Sequence, residues 1–380
     1  MSSYHCRFAD KDRTTASGFY DVADRLVTLI IPFDKMPYYF NLPALNELTL
    51  NQRSALNEQS AIALQGGPGT GKSVVSLYRH ITNHQNHRSS LLLTYTTTLK
   101  LYLAACCRGQ SVQAAGCVGT TYKKTYAWGD GGAPHYGEII IDEAQDVDMD
   151  RYRIIKSHAD MVSYGADESQ SLFDNGSTCA ELRGLFPNNV PKRLERNFRN
   201  TRRILQFCQT CFRQANISMQ DIMSCRALGE LPQLFVTEDR IFGGQDSQQD
   251  EAIKEIIRDN QGPTHNIAIL CPWGKMVDYF YNLIKDDFED VTFYYRQGNQ
   301  ERGCEELGNI HVTTFKSAKG LEFDTVIIPN FQNVDEDLER FHINWKDFYV
   351  GVTRSRTNLY LISDSSCSMA NSQYVETIEL

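Results

Sequence analysis

The 380-residue chain has no long apolar run, no internal repeat and no low-complexity tract. Its longest apolar stretch near the N-terminus, Leu26 to Ile31, is broken at Thr28. That is far short of the roughly 20 residues a spanning helix needs, and it lacks the basic flank and cleavage pattern of a signal peptide. A soluble, cytoplasmic protein is expected. Excess positive charge is missing too: 47 acidic residues against 38 basic ones give a net charge of −9. Domains that bind nucleic acid are usually basic, so any such partner would have to follow a narrow positive track. The eleven cysteines are odd in number and scattered, which speaks against a disulfide framework. Cys208 and Cys211 form a C-x-x-C with Cys225 further on, but no fourth ligand for a structural zinc lies nearby, and they read as thiols of a helix core.

What is present is a globular composition, 41% apolar, long enough for two ordinary domains. Short β-branched and apolar runs alternate with helical patterns, the arrangement of an α/β fold with mainly parallel sheets. One set of runs comprises Ile62–Leu64, Leu91–Tyr95, Ile139–Ile141 and Met161–Tyr164. A second comprises Gln233–Val236, Ile267–Leu270, Val291–Tyr295, Ile310–Phe315, Val326–Ile328 and Leu359–Ile362. A long helical pattern, Arg202 to Gln214, lies between the sets. The chain is therefore divided into an extension (1–47), a first lobe (48–199) and a second lobe (200–380). The apolar residues Met36 to Phe40 in the extension are expected to bury against the first lobe. Lys192, Arg193, Arg196, Arg199, Arg202 and Arg203 concentrate positive charge, readable apart from Arg199 as one solvated helix face.

Gly66-Gly67-Pro68-Gly69-Thr70-Gly71-Lys72-Ser73 satisfies G-x-x-x-x-G-K-[ST], follows a strand-like run and opens a helical pattern at Ser73 to His80. Such a loop turns successive N–H groups toward phosphate oxygens at a helix N-terminus. Lys72 would reach the β and γ phosphates, and Ser73 would ligate Mg2+. Downstream, Ile139-Ile140-Ile141-Asp142-Glu143 puts two carboxylates just beyond an apolar strand, where ligands bind in open parallel sheets. Asp142 suits the metal shell, and Glu143 the orientation or deprotonation of an attacking water.

With these, Asp142-Glu143-Ala144-Gln145, Gly165 to Ser171, Leu194-Glu195-Arg196-Asn197-Phe198-Arg199-Asn200, Thr313 to Phe323 and Tyr349 to Arg356 follow in an order that resembles the superfamily 1 helicases, closest to the UvrD/Rep branch. The resemblance implies two RecA-like P-loop NTPase lobes and use of ATP. It implies that Gln52 reads the adenine edge, Phe198 stacks on adenine, Gln170 senses the γ-phosphate, and Arg199 and Arg354 act as arginine fingers. Gly320 would approach phosphate and Glu322 the ribose. Thr94, Thr97, Thr120 and Tyr122 would contact a nucleic-acid strand from the first lobe, and Thr313 and Thr314 from the second. The fifth motif's likeness to the UvrD branch implies a DNA track travelled 3′ to 5′.

The chain departs from the branch in two ways. Phe173-Asp174-Asn175-Gly176 stands where a tyrosine and then a base-stacking tryptophan usually follow the third motif, and no tryptophan is near. The usual inserted subdomains are reduced, leaving a nearly bare two-lobe form. Two functions are therefore carried forward. One is an ATP-dependent translocase or helicase; the other is a regulatory helicase-like ATPase subunit that senses nucleic acid and controls a partner such as a nuclease. No nuclease motif is found in the chain itself.

Overall fold

The computed structural model describes residues 38–380 except 41, 129–133, 168–169, 173–174, 238–246, 299, 304, 336–337, 339–341, 365–366 and 370. The extension's residues 1–37, the residues Glu168 and Ser169 of the third motif, and Phe173 and Asp174 after it lie outside that set. Among the described residues no helix is long and apolar enough to cross a membrane.

Six strands form the first sheet: Ile62–Gln65 (β1), Ser90–Thr94 (β2), Val118–Thr120 (β3), Tyr136–Ile141 (β4), Ala159–Ala166 (β5) and Val190–Arg193 (β6). Their order is β3-β2-β4-β5-β1-β6 and every pairing is parallel. Eight more form a second sheet: Gln233–Val236 (β7), Ile267–Cys271 (β8), Val291–Gln297 (β9), Gln300–Gly303 (β10), Ile310–Thr314 (β11), Phe323–Ile328 (β12), Ser355–Ser363 (β13) and Glu376–Glu379 (β14). They run β10-β9-β11-β8-β12-β13-β7-β14, parallel except for the antiparallel β9–β10 hairpin. Two mainly parallel sheets are what the alternating pattern predicted. The central strands β2 and β8 are buried along their whole length, as parallel strands covered on both faces must be.

The helices that build the site belong to the first sheet: Leu50–Leu56 (α1), Lys72–Gln85 (α2), Thr97–Arg108 (α3), Val112–Gly116 (α4) and Thr121–Trp128 (α5). Thr49 caps α1 in a reciprocal box with Gln52, so the cap also fixes where Gln52 stands. One apolar core passes continuously from Leu92, Leu99 and Leu103 of the first layer to Phe315, Leu321 and Phe348 around the second sheet.

The basic cluster does not form one helix face. Lys192 and Arg193 lie on β6, Arg196 and Arg199 in the loop after it, and Arg202 and Arg203 open the helix Arg202–Cys211. Lys192 pairs with Glu58 at 3.3 Å and Arg199 with Glu322 at 3.1 Å. The extension also differs from expectation, since Tyr38 buries against both layers. Its ring meets Tyr102 of α3 at 5.9 Å and Phe323 of β12 at 5.7 Å, and its hydroxyl donates to the Glu322 carbonyl. Tyr39 exchanges two hydrogen bonds with the Asn266 side chain, both 2.8 Å. Tyr78 of α2 donates to the Pro43 carbonyl at 2.6 Å. Tyr38, Tyr39 and Pro43 are thus tied to both sheets' layers.

Candidate nucleotide site and nucleic-acid cleft

The turn between β1 and α2 sits at the carboxyl end of the first sheet, beside the place where strand order reverses. Gly69 adopts φ +67, and a Cβ there would come within 2.6 Å of both Arg199 Cβ and Asn197 Oδ1. Only glycine permits that conformation beside so close a neighbour. Lys72 Nζ donates to the carbonyls of Gly66 at 2.8 Å and Gly67 at 3.0 Å, and lies 3.7 Å from Asp167. Its charge is held within the loop by backbone oxygens that phosphates can replace.

Beyond β4, Asp142 and Glu143 are buried. Burial first, then the neighbouring Glu143, pushes Asp142 up to about 7, against a hydrogen bond from Ser73 and the charge of Lys72. Its Oδ2 is buried and has no hydrogen-bond partner. A hydroxyl beside a carboxylate with an unsatisfied oxygen, next to a phosphate loop, is a donor set that fits Mg2+ completed by phosphate and water. Glu143 takes a left-handed backbone, φ 55 and ψ 47, a sparsely populated conformation for a residue with a side chain. Burial would raise its pKa, but Lys319, Lys72 and Arg354 prevail and hold it below the usual carboxylate range. Gln145 donates to Glu143 Oε2 at 2.6 Å and accepts from the Asp167 N–H at 3.0 Å, fixing the carboxylate.

A cavity of about 360 Å3 opens over this edge. The loop residues Gly69 to Ser73, with Gln52, Glu143 and Gln170, line one side. Phe198 and Arg199, in the loop after β6 that packs on Gly69, complete the lining with Gly320 and Glu322 of the second layer. Gln52 donates from Nε2 to the Thr70 carbonyl at 3.1 Å. The Arg196 guanidinium lies 5.1 Å from the Phe198 ring centre, and Arg199 Nε is 3.1 Å from Glu322. Gly320 has φ +83, and a Cβ on it would strike Leu99 of α3 at 2.4 Å, so the second layer can approach the first only with glycine there.

Arg354 is fully buried behind the cavity wall. Its Nη2 donates to Gln170 Oε1 at 2.6 Å, and Gln170 Nε2 donates to Asp167 at 2.6 Å. Burial, then Arg199, pushes Arg354 down to about 9. Gly66, Gly67 and Pro68 are in the loop but do not face the cavity. Pro68 and Gly67 border a smaller cleft on its far side. Three groups of the site carried no role in the sequence reading. Arg356 lines the cavity 3.4 Å from Asp324. Tyr102 lines it from α3. Lys319 is wholly buried, with Nζ 2.5 Å from Asp146, 3.8 Å from Glu143, and donating to the Gln170 carbonyl. Lys319 and Arg356 stand inside the fifth and sixth motifs, which was the only signal available.

The strand-contact candidates separate into two groups. Thr97, Thr120 and Tyr122 line a second cleft, of about 470 Å3, on the same edge of the molecule as α5 and the β9–β10 hairpin. Thr94 and Thr313 do not reach it. Thr94 is fully buried in β2, and the Thr313 hydroxyl donates to the Tyr294 carbonyl at 2.5 Å inside the second sheet. Thr314 hydrogen bonds with Ser317 at 3.0 Å.

Comparison with known proteins supplies independent findings. The description "UvrD-like helicase C-terminal domain" matches residues 309–362. A protein of Acanthamoeba polyphaga mimivirus, assigned by name to the ATP-dependent DNA helicases, is 24% identical over 244 residues, which is 59% of this chain and 34% of that one. A Mycoplasma pneumoniae protein, by name a DNA helicase, is 22% identical over 254 residues, 61% of this chain and 44% of that one. The chain thus spans less than half the length of these relatives. The solved structure of PRRSV helicase shares 14% identity over 83% of this chain and 54% of its own, with a TM-score of 0.43.

Proposed function

We propose that the chain is a UvrD-like helicase of superfamily 1, a reading that the C-terminal family match and the helicase relatives support, and that it hydrolyses ATP between its two sheets and uses the cycle to move along a single nucleic-acid strand. The observation that carries this reading is the shared cavity: Lys72, Ser73 and Glu143 meet it from the first sheet's layer with Arg199 of the loop after β6, and Gly320 and Glu322 meet it from the second. Adenine would stack on Phe198 with its edge toward Gln52. The γ-phosphate would draw Lys72 away from the Gly66 and Gly67 carbonyls and Arg199 away from Glu322. Bound Mg2+, held by Ser73 and Asp142, would supply positive charge to the β and γ oxygens. Glu143, kept ionised by Lys319 and Lys72, is suited to orient or deprotonate the attacking water. Arg199 and Arg354 bring the charge that a transferring phosphoryl group demands, Arg354 through the Gln170 side chain that it holds. DNA as the track and 3′ to 5′ travel belong to the same proposal, which the helicase names of the relatives support in its nucleic-acid part.

The test is ATP hydrolysis by the purified protein alone and with single-stranded DNA, single-stranded RNA or duplex DNA, beside Lys72→Ala and Glu143→Gln. Stimulation of about tenfold or more by single-stranded DNA, with a loss of about 10²-fold or more in both variants, is expected. Basal hydrolysis that no polymer stimulates would contradict an autonomous motor and favour the regulatory-subunit reading.

A further inference from the structure

The cleft beside the nucleotide cavity contains more chemistry than the threonines already described. Tyr122 and Tyr126 stand one turn apart on α5, 45% and 73% exposed, with ring planes 9° from parallel and centroids 6.5 Å apart. The guanidinium groups of Arg151 and Arg296 lie 4.5 and 5.8 Å from the Tyr122 ring centre. Exposed parallel aromatic faces with positive charge beside them have the composition that single strands use without regard to sequence: bases stack and phosphates pair.

One group in the cleft has the wrong sign for that purpose. Glu301, on the short edge strand β10, crosses from the second sheet to the first layer. Its Oε1 accepts from the Thr97 hydroxyl at 2.6 Å, and its Oε2 lies 2.9 Å from Lys123 Nζ. A hydroxyl and an ammonium converging on two oxygens of one anion is also how a phosphate is held. The carboxylate's two donors come from α3 and α5 of one layer, while its backbone belongs to the other.

We propose that Glu301 occupies a phosphate subsite of the strand track, so that an incoming strand displaces its carboxylate from Thr97 and Lys123 while a base stacks on the Tyr122–Tyr126 pair. This rests on the reading of the chain as a single-strand motor, and adds to it a residue that competes with the strand. The Lys123 amine is 62% exposed, and ion pairs so exposed are weak. Glu301 therefore sets the affinity threshold of the track and does not bar it. Because the contact joins the two layers, strand binding also frees the β9–β10 hairpin from α3 and α5. The exposed Tyr126 ring would provide a stacking surface in a chain that has no tryptophan close after its third motif.

The experiment is fluorescence anisotropy of a labelled oligodeoxythymidine titrated with the full chain and with Glu301→Gln, Tyr126→Ala and Lys123→Ala, each checked for an unchanged melting temperature. Glu301→Gln should bind about three- to tenfold more tightly than the native chain. Tyr126→Ala should bind about tenfold more weakly, the loss of one stacked base. Lys123→Ala should reduce the slope of log affinity against log salt by about one phosphate contact. If the native chain binds and Glu301→Gln binds no more tightly, the displacement idea is wrong while the motor reading stands. If neither the native chain nor Glu301→Gln binds the oligonucleotide, the motor reading fails and this inference fails with it. Binding by Glu301→Gln alone would support the proposal most strongly.

Discussion

Lys319 shows how far a single side chain can organise the site. A buried ammonium is tolerated only where anions and carbonyls surround it, and here Asp146, Glu143 and the Gln170 carbonyl do so. Removing the amine in Lys319→Ala strands two buried carboxylates, and a loss of about 3–5 kcal/mol is expected, read as a shift in the midpoint of urea unfolding. A loss under about 1 kcal/mol, the range of an exposed pair, would show that the carboxylates do not depend on it. The residues whose positions the sequence did disclose are those fixed by a short strand-loop-helix turn: Lys72, Ser73, Asp142 and Glu143. Lys319 and Arg356 lay in recognised motifs, yet their direction depends on how the second layer meets the first, which spacing does not encode. Thr94 and Thr313 show the converse. In a parallel strand covered on both faces, alternation cannot tell which hydroxyl points outward.

Among the elements, the long buried strands were legible and the short edge strands were not. β6 contains Pro191 and two basic residues, β10 reads Gln-Glu-Arg-Gly, and β14 sets Thr377 and Ile378 between two glutamates. None offers the apolar run that marks a strand, and each is an edge or near-edge position where pairing comes from a neighbour rather than from propensity. The stretch comprising residues 38–40, 42 and 43 is the part whose role the sequence most understated. It binds to the second layer through Tyr38 and Asn266 and to the first through Tyr102 and Tyr78, beside a cavity that Leu42 and Pro43 help to line. Tyr38→Ala removes rings from both contacts. It should cost about 3 kcal/mol and raise the KM for ATP severalfold with a smaller change in kcat, checked by thermal melting and steady-state hydrolysis. Tyr38→Phe keeps the rings and loses one hydrogen bond, for a cost of about 1 kcal/mol. Equal losses in the two variants would mean that the hydroxyl, and not the packing across both layers, holds the segment.

For the whole molecule, contacts between the two sheets' layers concentrate around the candidate nucleotide and strand sites, which would let the sheets act as one device. Asn200 donates to the carbonyls of Thr353 at 3.1 Å and Ser355 at 2.7 Å, joining the loop after β6 to the turn before β13. Thr98 donates to the Ser317 carbonyl, and Lys319 reaches Asp146. Arg199 pairs with Glu322 and Arg354 with Gln170. A γ-phosphate that captures Arg199 and Gln170 would rearrange both pairs together and pull on the strand cleft, where Thr97 and Glu301 form another cross-layer contact. The arrangement of two mainly parallel sheets was legible from the run of strand patterns. The closeness of the layers was not, because it depends on Gly320 meeting Leu99 and on apolar surfaces that carry no motif.

The most direct test of hydrolysis as a joint act of both layers is the single-strand-stimulated kcat of Arg354→Ala, with ATP binding measured in parallel by a fluorescent analogue. Arg354 lies just before β13 of the second sheet and hydrogen bonds to Gln170 of the first layer. A fall in kcat of about 10³-fold, with nucleotide affinity within a few fold of the native chain, is the expected result. A kcat that stays near native, with binding intact, would show that the first layer hydrolyses ATP without the second and would contradict the mechanism proposed here.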